Sequence, residues 1–485
     1  MEETETDIEV LLECLKCQRN DAIGLKRTLS TLLSILGSDE NTQEYFRESG
    51  GLHDVQNLFS QSISTEVQQA AMLCLACAVE NNVFSQNALV NAETFSYLHQ
   101  CLSEKHSRQY IQTASYFLMC LVTNNSVGQN LARESSCLSD ALLLFRQCSE
   151  VNRMTHDSYE EVLLLWTSLT AALNGCVNNP QNEANQRLCS TILPLCFKII
   201  AEENHHELCG PLLLFVGLTV SGNKLNQDRV RQSGGLDTML NHLQKSLNRL
   251  DLGWRDEQHV LLISNALSSS MTDNERNIHF FLEHGGLHVL FSLLESLDMA
   301  CDGVLGVVIA IGHVLEFAEN RFAALTSKEQ GKLIKLLTET QSEELVHAIK
   351  YVLSQCQELA DGAENKEEEQ TKIRSKIDEL LAKIQHTEEM ECLDDGQTLC
   401  RKGETAELRQ TKDSLSNHLQ GPSSNAQGQS VMSRIHQLCN EHGKSLAETL
   451  HGQTLNGQLS STSNRLCLRN ALSLTKRKVM PVMSV

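Results

Sequence analysis

Hydrophobic and polar positions alternate along this chain with a helical rhythm, and the rhythm repeats. The stretch QSGGLDTMLNHL (Gln232 to Leu243) opens on a Gly-Gly-Leu corner and continues with Leu236, Leu240 and Leu243 spaced for one helix face. The same device stands at EHGGLHVLFSLL (Glu283 to Leu294) and at ESGGLHDVQNLF (Glu48 to Phe59). Three copies of one turn-then-helix unit define a repeat. With the polar residue upstream of each corner as anchor, the copies become a series. Asp39, Asn82, Asn125, Asn179, Asn223, Asn274 and Asn320 each stand thirteen positions before an apolar residue, namely Leu52, Phe95, Leu138, Ile192, Leu236, Leu287 and Leu333. The anchors are 43, 43, 54, 44, 51 and 46 residues apart. Periods of ~40–47 residues belong to armadillo and HEAT arrays. The two long intervals hold the polar inserts around Glu150 to Glu161 and Ser246 to Glu257, which read as lengthened loops.

Each anchor follows an apolar run of helical length, such as AAMLCLACAV (Ala70 to Val79), SYFLMCLV (Ser115 to Val122) or PLLLFVGLTV (Pro211 to Val220). Strand alternation is absent from these Leu-, Ala-, Cys- and Met-rich runs, so they read as buried third helices of armadillo-like units. Asn or Asp after each run ends one helix and caps the next, and glycines make the corner that follows. The expected fold is all-α: an armadillo-like superhelical repeat array with a short charged coiled-coil helix and a disordered tail. The expected boundaries are a helical cap over 1–38, repeats over 39–358, a coiled coil over 364–392 and the tail over 393–485.

Composition sharpens this. Five prolines and 4% aromatic residues among 485 suit a helical array. Most of the eighteen cysteines, Cys74, Cys77, Cys120, Cys176 and Cys189 among them, lie in apolar helical runs and behave as small hydrophobes. MEETETDIEV has no signal-peptide apolar core, and no run reaches the ~18–20 apolar residues that span a bilayer. These features point to an intracellular, reduced, soluble chain with no membrane span. The formal charge is −21. From Cys400 onward eleven Lys or Arg stand against five Asp or Glu, so the tail is basic and the preceding array strongly acidic. An acidic array repels nucleic-acid backbones, which makes any DNA contact indirect and favours basic or apolar protein partners.

Past the repeats, Ile373, Ile377, Leu380 and Ile384 mark a heptad seam of about two heptads, readable as a capping helix or as a dimer contact. GPSSNAQGQS (Gly421 to Ser430) reads as linker. Two islands follow: VMSRIHQLCNEHGKSLAETL (Val431 to Leu450), and RNALSLTKRKVMPVMSV (Arg469 to Val485), with apolar residues beside Lys476, Arg477 and Lys478.

Signals for catalysis are lacking. There is no phosphate-binding Gly-rich loop and no nucleophile elbow, and no catalytic residue, metal or cofactor is expected. Cys14 and Cys17 form CLKC without a second pair, so core packing is their reading. His436, Cys439 and His442 recur every third residue, a poor set for one tetrahedral site. His205 and His206 read as a polar loop, and the sequon at Asn124 to Ser126 is idle inside a cell. Third-helix Trp and Asn ladders, which grip basic peptides in nuclear-import adaptors, would need more than Trp166, Asn174 and Asn265. These read as core Trp and helix-end Asn.

CVNNPQNEANQRLCSTILP (Cys176 to Pro194), GLTVSGNKLNQDRVRQSGGLD (Gly217 to Asp237) and ENNVFSQNALV (Glu80 to Val90) resemble the armadillo region of the meiotic telomere repeats-binding bouquet formation protein family, in the member with a coiled coil. The order of acidic start, array, charged coiled coil and long tail is similar too. The resemblance covers about the first 390 residues. It implies a non-enzymatic meiotic adaptor in the nucleus, at telomeres on the inner nuclear membrane. Such an adaptor would join the duplex-telomere-binding subunit of shelterin to a second bouquet formation protein and an inner-nuclear-membrane anchor, with cohesin as a further partner. Chromosome movement and homologue pairing would follow. It also implies a C-terminal Myb-like module with spaced tryptophans, whereas Trp166 and Trp254 both lie within the array, so the module is expected to be missing. The family's shelterin-docking peptide has spaced aliphatic residues, then Thr-Pro and a basic run. LSLTKRK is similar, with Leu472 and Leu474 as anchors, Thr475 in place and Lys476 where proline is expected. A basic nuclear-import signal is the competing reading of that segment. A general armadillo transport or signalling adaptor, gripping peptides on its third helices, is the competing reading of the whole.

Overall fold

The computed structural model describes residues 2–37, 40–61, 64–149, 156–177, 181–202, 206–251, 257–298, 302–316, 327–340 and 342–360. Among them there is helix and no strand. Two helices, α1 (Glu2–Cys17) and α2 (Ala22–Leu36), precede the repeats. Triplets follow: α3 (Glu40–Glu48), α4 (Gly51–Gln61) and α5 (Thr65–Val79); then α6 (Val83–Leu89), α7 (Ala92–Ser103) and α8 (Arg108–Val122). The third triplet is α9 (Ser126–Glu134), α10 (Cys137–Ser149) and α11 (His156–Val177), and the fourth is α12 (Glu183–Cys189), α13 (Leu193–Ala201) and α14 (His206–Val220). The fifth is α15 (Lys224–Gln232), α16 (Gly235–Asp251) and α17 (Glu257–Met271), and the sixth is α18 (Glu275–Glu283), α19 (Gly286–Ser296) and α20 (Asp302–Glu316). Helices Ser327–Glu339 and Glu343–Ala360 complete the described part.

Like helices stack on like. The third helices form a continuous row from α2 through α5, α8, α11, α14, α17 and α20 to Glu343–Ala360. Second helices stack alongside (α13 on α16, α16 on α19), and first helices do the same (α3 on α6, α9 on α12, α15 on α18). The third row is the core. In α5 every residue from Ala70 to Val79 is buried, and in α8 every residue from Tyr110 to Val122. Small Ala, Cys and Ser side chains let these helices approach closely, and the larger ones each contribute about 1.5–3 kcal/mol on burial. This is an all-α, armadillo-like superhelical array.

Both corners of a unit use the left-handed backbone region. Entering the first helix, Asn81 (φ 62°), Asn124 (58°), Gly222 (62°) and Asp273 (56°) each stand immediately before a capping Asn. Entering the second helix, Gly50 (φ 80°), Ser136 (71°), Gly234 (72°) and Gly285 (74°) do the same work. Only Gly, Asn and Asp visit that region readily. The second glycine of each Gly-Gly pair has a different task. A Cβ on Gly51, Gly235 or Gly286 would meet the ring of Phe46, Phe197 or Phe281 at 2.2, 2.3 or 2.4 Å.

Two expectations need correcting. The inserts at Glu150 to Glu161 and Ser246 to Glu257 are not simply loops, since α11 begins at His156 and α16 runs to Asp251. Leu247 and Leu250 keep the helical spacing of Leu243 and pack on the core, which prolongs α16. Likewise His206 begins α14 rather than lying in a loop. The expected coiled coil at 364–392 and tail at 393–485 lie outside the described residues.

Candidate functional site

The polar groups of the array converge on the first helices. Asn82, Asn125, Asn182, Asn223 and Asn274 each cap a first helix, their Oδ1 accepting the N–H of Ser85, Gly128, Asn185, Asn226 and Asn277 at 2.9–3.2 Å. The fourth cap is Asn182, not the anchor Asn179 expected from the thirteen-residue register. Ile192 still occupies its buried register position. The cap moves because α12 runs directly into a 3-10 turn at Ser190–Ile192 with no separate corner, so ten residues rather than thirteen separate the cap from Ile192. Asp39, Asn179 and Asn320 lie outside the described residues.

Four residues after Asn82, Asn125, Asn182 and Asn223, and four after Asp39, stands a buried glutamine that the sequence reading missed. Gln86 Nε2 donates to Cys120 O and Thr123 O, both at 2.8 Å, the last carbonyls of its unit's third helix. Gln43 donates to Cys77 O (2.8 Å) and Glu80 O (3.3 Å), and Gln129 to Gly175 O (3.1 Å). Gln186 reaches Leu218 O (2.9 Å) and Ser221 O (3.0 Å), and Gln227 reaches Ser269 O (2.9 Å) and Thr272 O (3.0 Å). Helix-end carbonyls buried without donors are costly, and these amides satisfy them. The next unit's cap then closes the link. Asn125 Nδ2 donates to Gln86 Oε1 at 3.1 Å, Asn223 to Gln186 Oε1 at 3.3 Å and Asn274 to Gln227 Oε1 at 3.3 Å. At these three junctions an amide ladder stitches one unit to the next, and at Ile278 an aliphatic side chain holds the glutamine position.

The third-helix row offers little of a peptide-gripping face. Trp166 (4% exposed) is buried against Phe145, ring centroids 5.5 Å apart, and Asn174 (2%) is buried beneath it in the same helix. Asn265 alone of the three is half-buried. The thiols of this core are inert at neutral pH: burial pushes Cys101 and Cys148 up to about 11 and Cys137 up to about 12. Burial raises Cys74, Cys176 and Cys196 further still.

The surface is different along the first helices. Phe84 (68% exposed), Val127 (58%) and Leu225 (56%) stand at the same register position, two residues after a cap. One guanidinium, that of Arg47, lies over the Phe84 ring at 5.9 Å.

The residues expected to dock shelterin, Leu472, Leu474, Thr475 and Lys476, lie outside the described residues, as do His436, Cys439, His442 and His205. Cys17 is exposed and Cys14 half-buried on α1. Among the described residues no group of His, Cys, Asp or Glu could hold a metal ion, and no helix is long and apolar enough to cross a membrane. The ladder glutamines had a signal, the recurring Asn-x-x-x-Gln at Asn82, Asn125, Asn182 and Asn223.

No protein-family model matches the chain. Telomere repeats-binding bouquet formation protein 1 of Danio rerio is 33% identical over 365 residues, 75% of this chain and 44% of that protein. The protein of the same name in Mus musculus is 32% identical over 368 residues (74% and 47%), and that of Homo sapiens 30% over 372 (74% and 50%). The chain thus spans about half the length of the curated relatives it matches. Among solved structures, an engineered protein superposes with a TM-score of 0.50 at 16% identity, covering 78% of this chain and 99% of its own. A computationally designed armadillo repeat protein for modular peptide recognition gives 0.41 at 19%, over 53% and 95%.

Proposed function

The chain belongs to the telomere repeats-binding bouquet formation protein family, and from that premise we infer that it is a non-enzymatic scaffold at meiotic telomeres. It would act in the nucleus, linking chromosome ends through shelterin to the inner nuclear envelope for bouquet formation, movement and homologue pairing. The observation that carries this reading is the 30–33% identity that three relatives of one name share with 365–372 residues of this chain. The buried ladder supports it in a general way, since it ties neighbouring repeats together.

In this reading the array is the spacer and the tail the attachment. Leu472 and Leu474 would enter an apolar pocket of shelterin's duplex-binding subunit, with Thr475 and Lys476 beside them. A second bouquet formation protein, a membrane anchor and cohesin would complete the assembly. The competing adaptor would grip peptides on its third helices, and their burial from Tyr110 to Val122 argues against it. Deleting 400–485 separates the two: the scaffold should lose telomere recruitment, whereas a third-helix adaptor should keep its cargo. Titrating a peptide of residues 469–485 against the purified shelterin subunit then tests the tail directly. Leu472→Ala with Leu474→Ala should weaken binding by orders of magnitude, at about 1.5–3 kcal/mol for each buried Leu. No measurable binding by the unmodified peptide would overturn the docking role of these residues.

A further inference from the structure

The outer edge of the first helices carries a surface that the array does not use. Val83 and Phe84 are 43% and 68% exposed, and Val127, one unit on, is 58% exposed. In a chain that is 21% charged, no charged residue occurs between Asn81 and Ala92 or between Gln109 and Ala132. An exposed aromatic on an uncharged stretch of chain, with the Arg47 guanidinium over its ring, is the composition of an interface core. Beside these apolar groups, Asn87 and Asn130 stand exposed, five residues after their caps. Asn125 Nδ2 donates to Asn87 Oδ1 at 2.9 Å, and Asn182 Nδ2 to Asn130 Oδ1 at 3.1 Å. Each side-chain amide is thereby oriented from behind, with its own Nδ2 hydrogens left for another acceptor. Two oriented donors and two apolar knobs, one unit apart, suit an extended polypeptide. Its main-chain carbonyls would meet the amides, and its side chains would meet Phe84 and Val127.

The sequence contains a segment of that chemistry. VMPVMSV, Val479 to Val485, is uncharged and mostly apolar, in keeping with the exposed Phe84 and Val127, and its valines recur every third residue. Three residues of polyproline II advance about 9 Å, close to the ~8–10 Å between packed helices. Pro481 holds φ near the value that conformation needs. Lys476, Arg477 and Lys478 immediately precede the segment and would face an array of opposite net charge. The residues between Ala360 and Val479, at up to ~3.3–3.6 Å each, are ample to reach the second and third units.

We propose that Val479–Val485 lies extended along the first-helix edge of those two units, covering Phe84 and Val127 and accepting hydrogen bonds from Asn87 and Asn130. This inference stands apart from shelterin docking by Leu472 and Leu474, although occupancy of one would bear on the other because they are neighbours in sequence.

A photoreactive benzoylphenylalanine at position 482 of the full chain tests it. Irradiation should join position 482 to residues 81–88 or 124–131 of the same molecule, read by peptide mass spectrometry. Phe84→Ser with Val127→Ser, both at exposed positions, should leave the melting curve unchanged and cut that cross-link about tenfold or more. Cross-links mapping elsewhere in the chain, or insensitive to the double substitution, would overturn the proposal. So would covalent dimers in their place, which would seat a second copy on the edge, and so would no cross-link at all.

Discussion

Replacing Gln186 by Leu tests whether the amide ladder holds the units together. Gln186 is fully buried, and its Nε2 donates to Leu218 O at 2.9 Å and Ser221 O at 3.0 Å. Its Oε1 accepts from Asn223 Nδ2 at 3.3 Å. Leucine has nearly the same volume, so little cavity is created and the lost hydrogen bonds dominate. Ser221 O keeps the Nε2 of Gln181 at 2.9 Å, but Leu218 O loses the donor from the ladder. An orphaned buried carbonyl costs about 1–3 kcal/mol. Asn223 loses its acceptor too, at lower cost because it is half-exposed. We expect about 2–4 kcal/mol in total, against about ±0.5 for the exposed control Gln232→Leu. Urea titration followed by circular dichroism measures the loss, and hydrogen exchange locates it. Exchange should rise first in the last turn of α14 and the first turn of α15, because each unit contacts only its neighbours. An unchanged urea midpoint, or faster exchange confined to other units, would refute the ladder's role.

Three further outcomes are expected. Gly235→Ala, whose Cβ would stand 2.3 Å from the Phe197 ring, should lower the melting temperature more than Gly234→Ala, where only φ 72° opposes a side chain; about 1–3 kcal/mol for the clash and 1–2 for the backbone set the scale, and the reverse order would show the corner misassigned. Leu236→Asp, at 1% exposure, should cost several kcal/mol in the same melt, and a wild-type curve would contradict its burial. Raised thiol pKa values favour the folded state below the ordinary value of 9, and that contribution fades as pH climbs from 9 toward about 12, where Cys137 ionises in the fold. In reducing buffer the melting temperature should therefore fall above pH 9, and a flat profile to pH 10 would contradict it.

The repeat was legible because its signals are local. Gly-Gly-Leu corners, Asn caps and long apolar runs each reflect one turn or one helix, and the structure places the corners, the runs and the caps Asn82, Asn125, Asn223 and Asn274 where the pattern does. The fourth anchor fell three residues short at Asn179, because a 3-10 turn in place of a separate corner keeps Ile192 buried while bringing the cap to Asn182. Register arithmetic sees the apolar position and not the path to it. Gln86, Gln186 and their counterparts were missed for a different reason. A binary pattern assigns glutamine to solvent, yet these side chains point inward because the ends of the third helices leave carbonyls that nothing in the local sequence can satisfy. Exposed Phe84 and Val127 were equally hidden, since an apolar residue beside an apolar run reads as more core. The tail residues Leu472 to Lys476 rest on resemblance alone.

Each glutamine of the ladder serves the third helix of its own unit, 32 to 46 residues downstream, while the cap that closes a link comes from the unit after it. A whole unit thus carries the donors that finish its own last helix. Duplicating or deleting one complete unit leaves no helix end exposed to a partner it lacks, whereas a cut within a unit strands the carbonyls of its third helix. The length of such an array is free to change in evolution, but only in whole steps, and Ile278 marks the unit after which a new copy could no longer be joined by the same link.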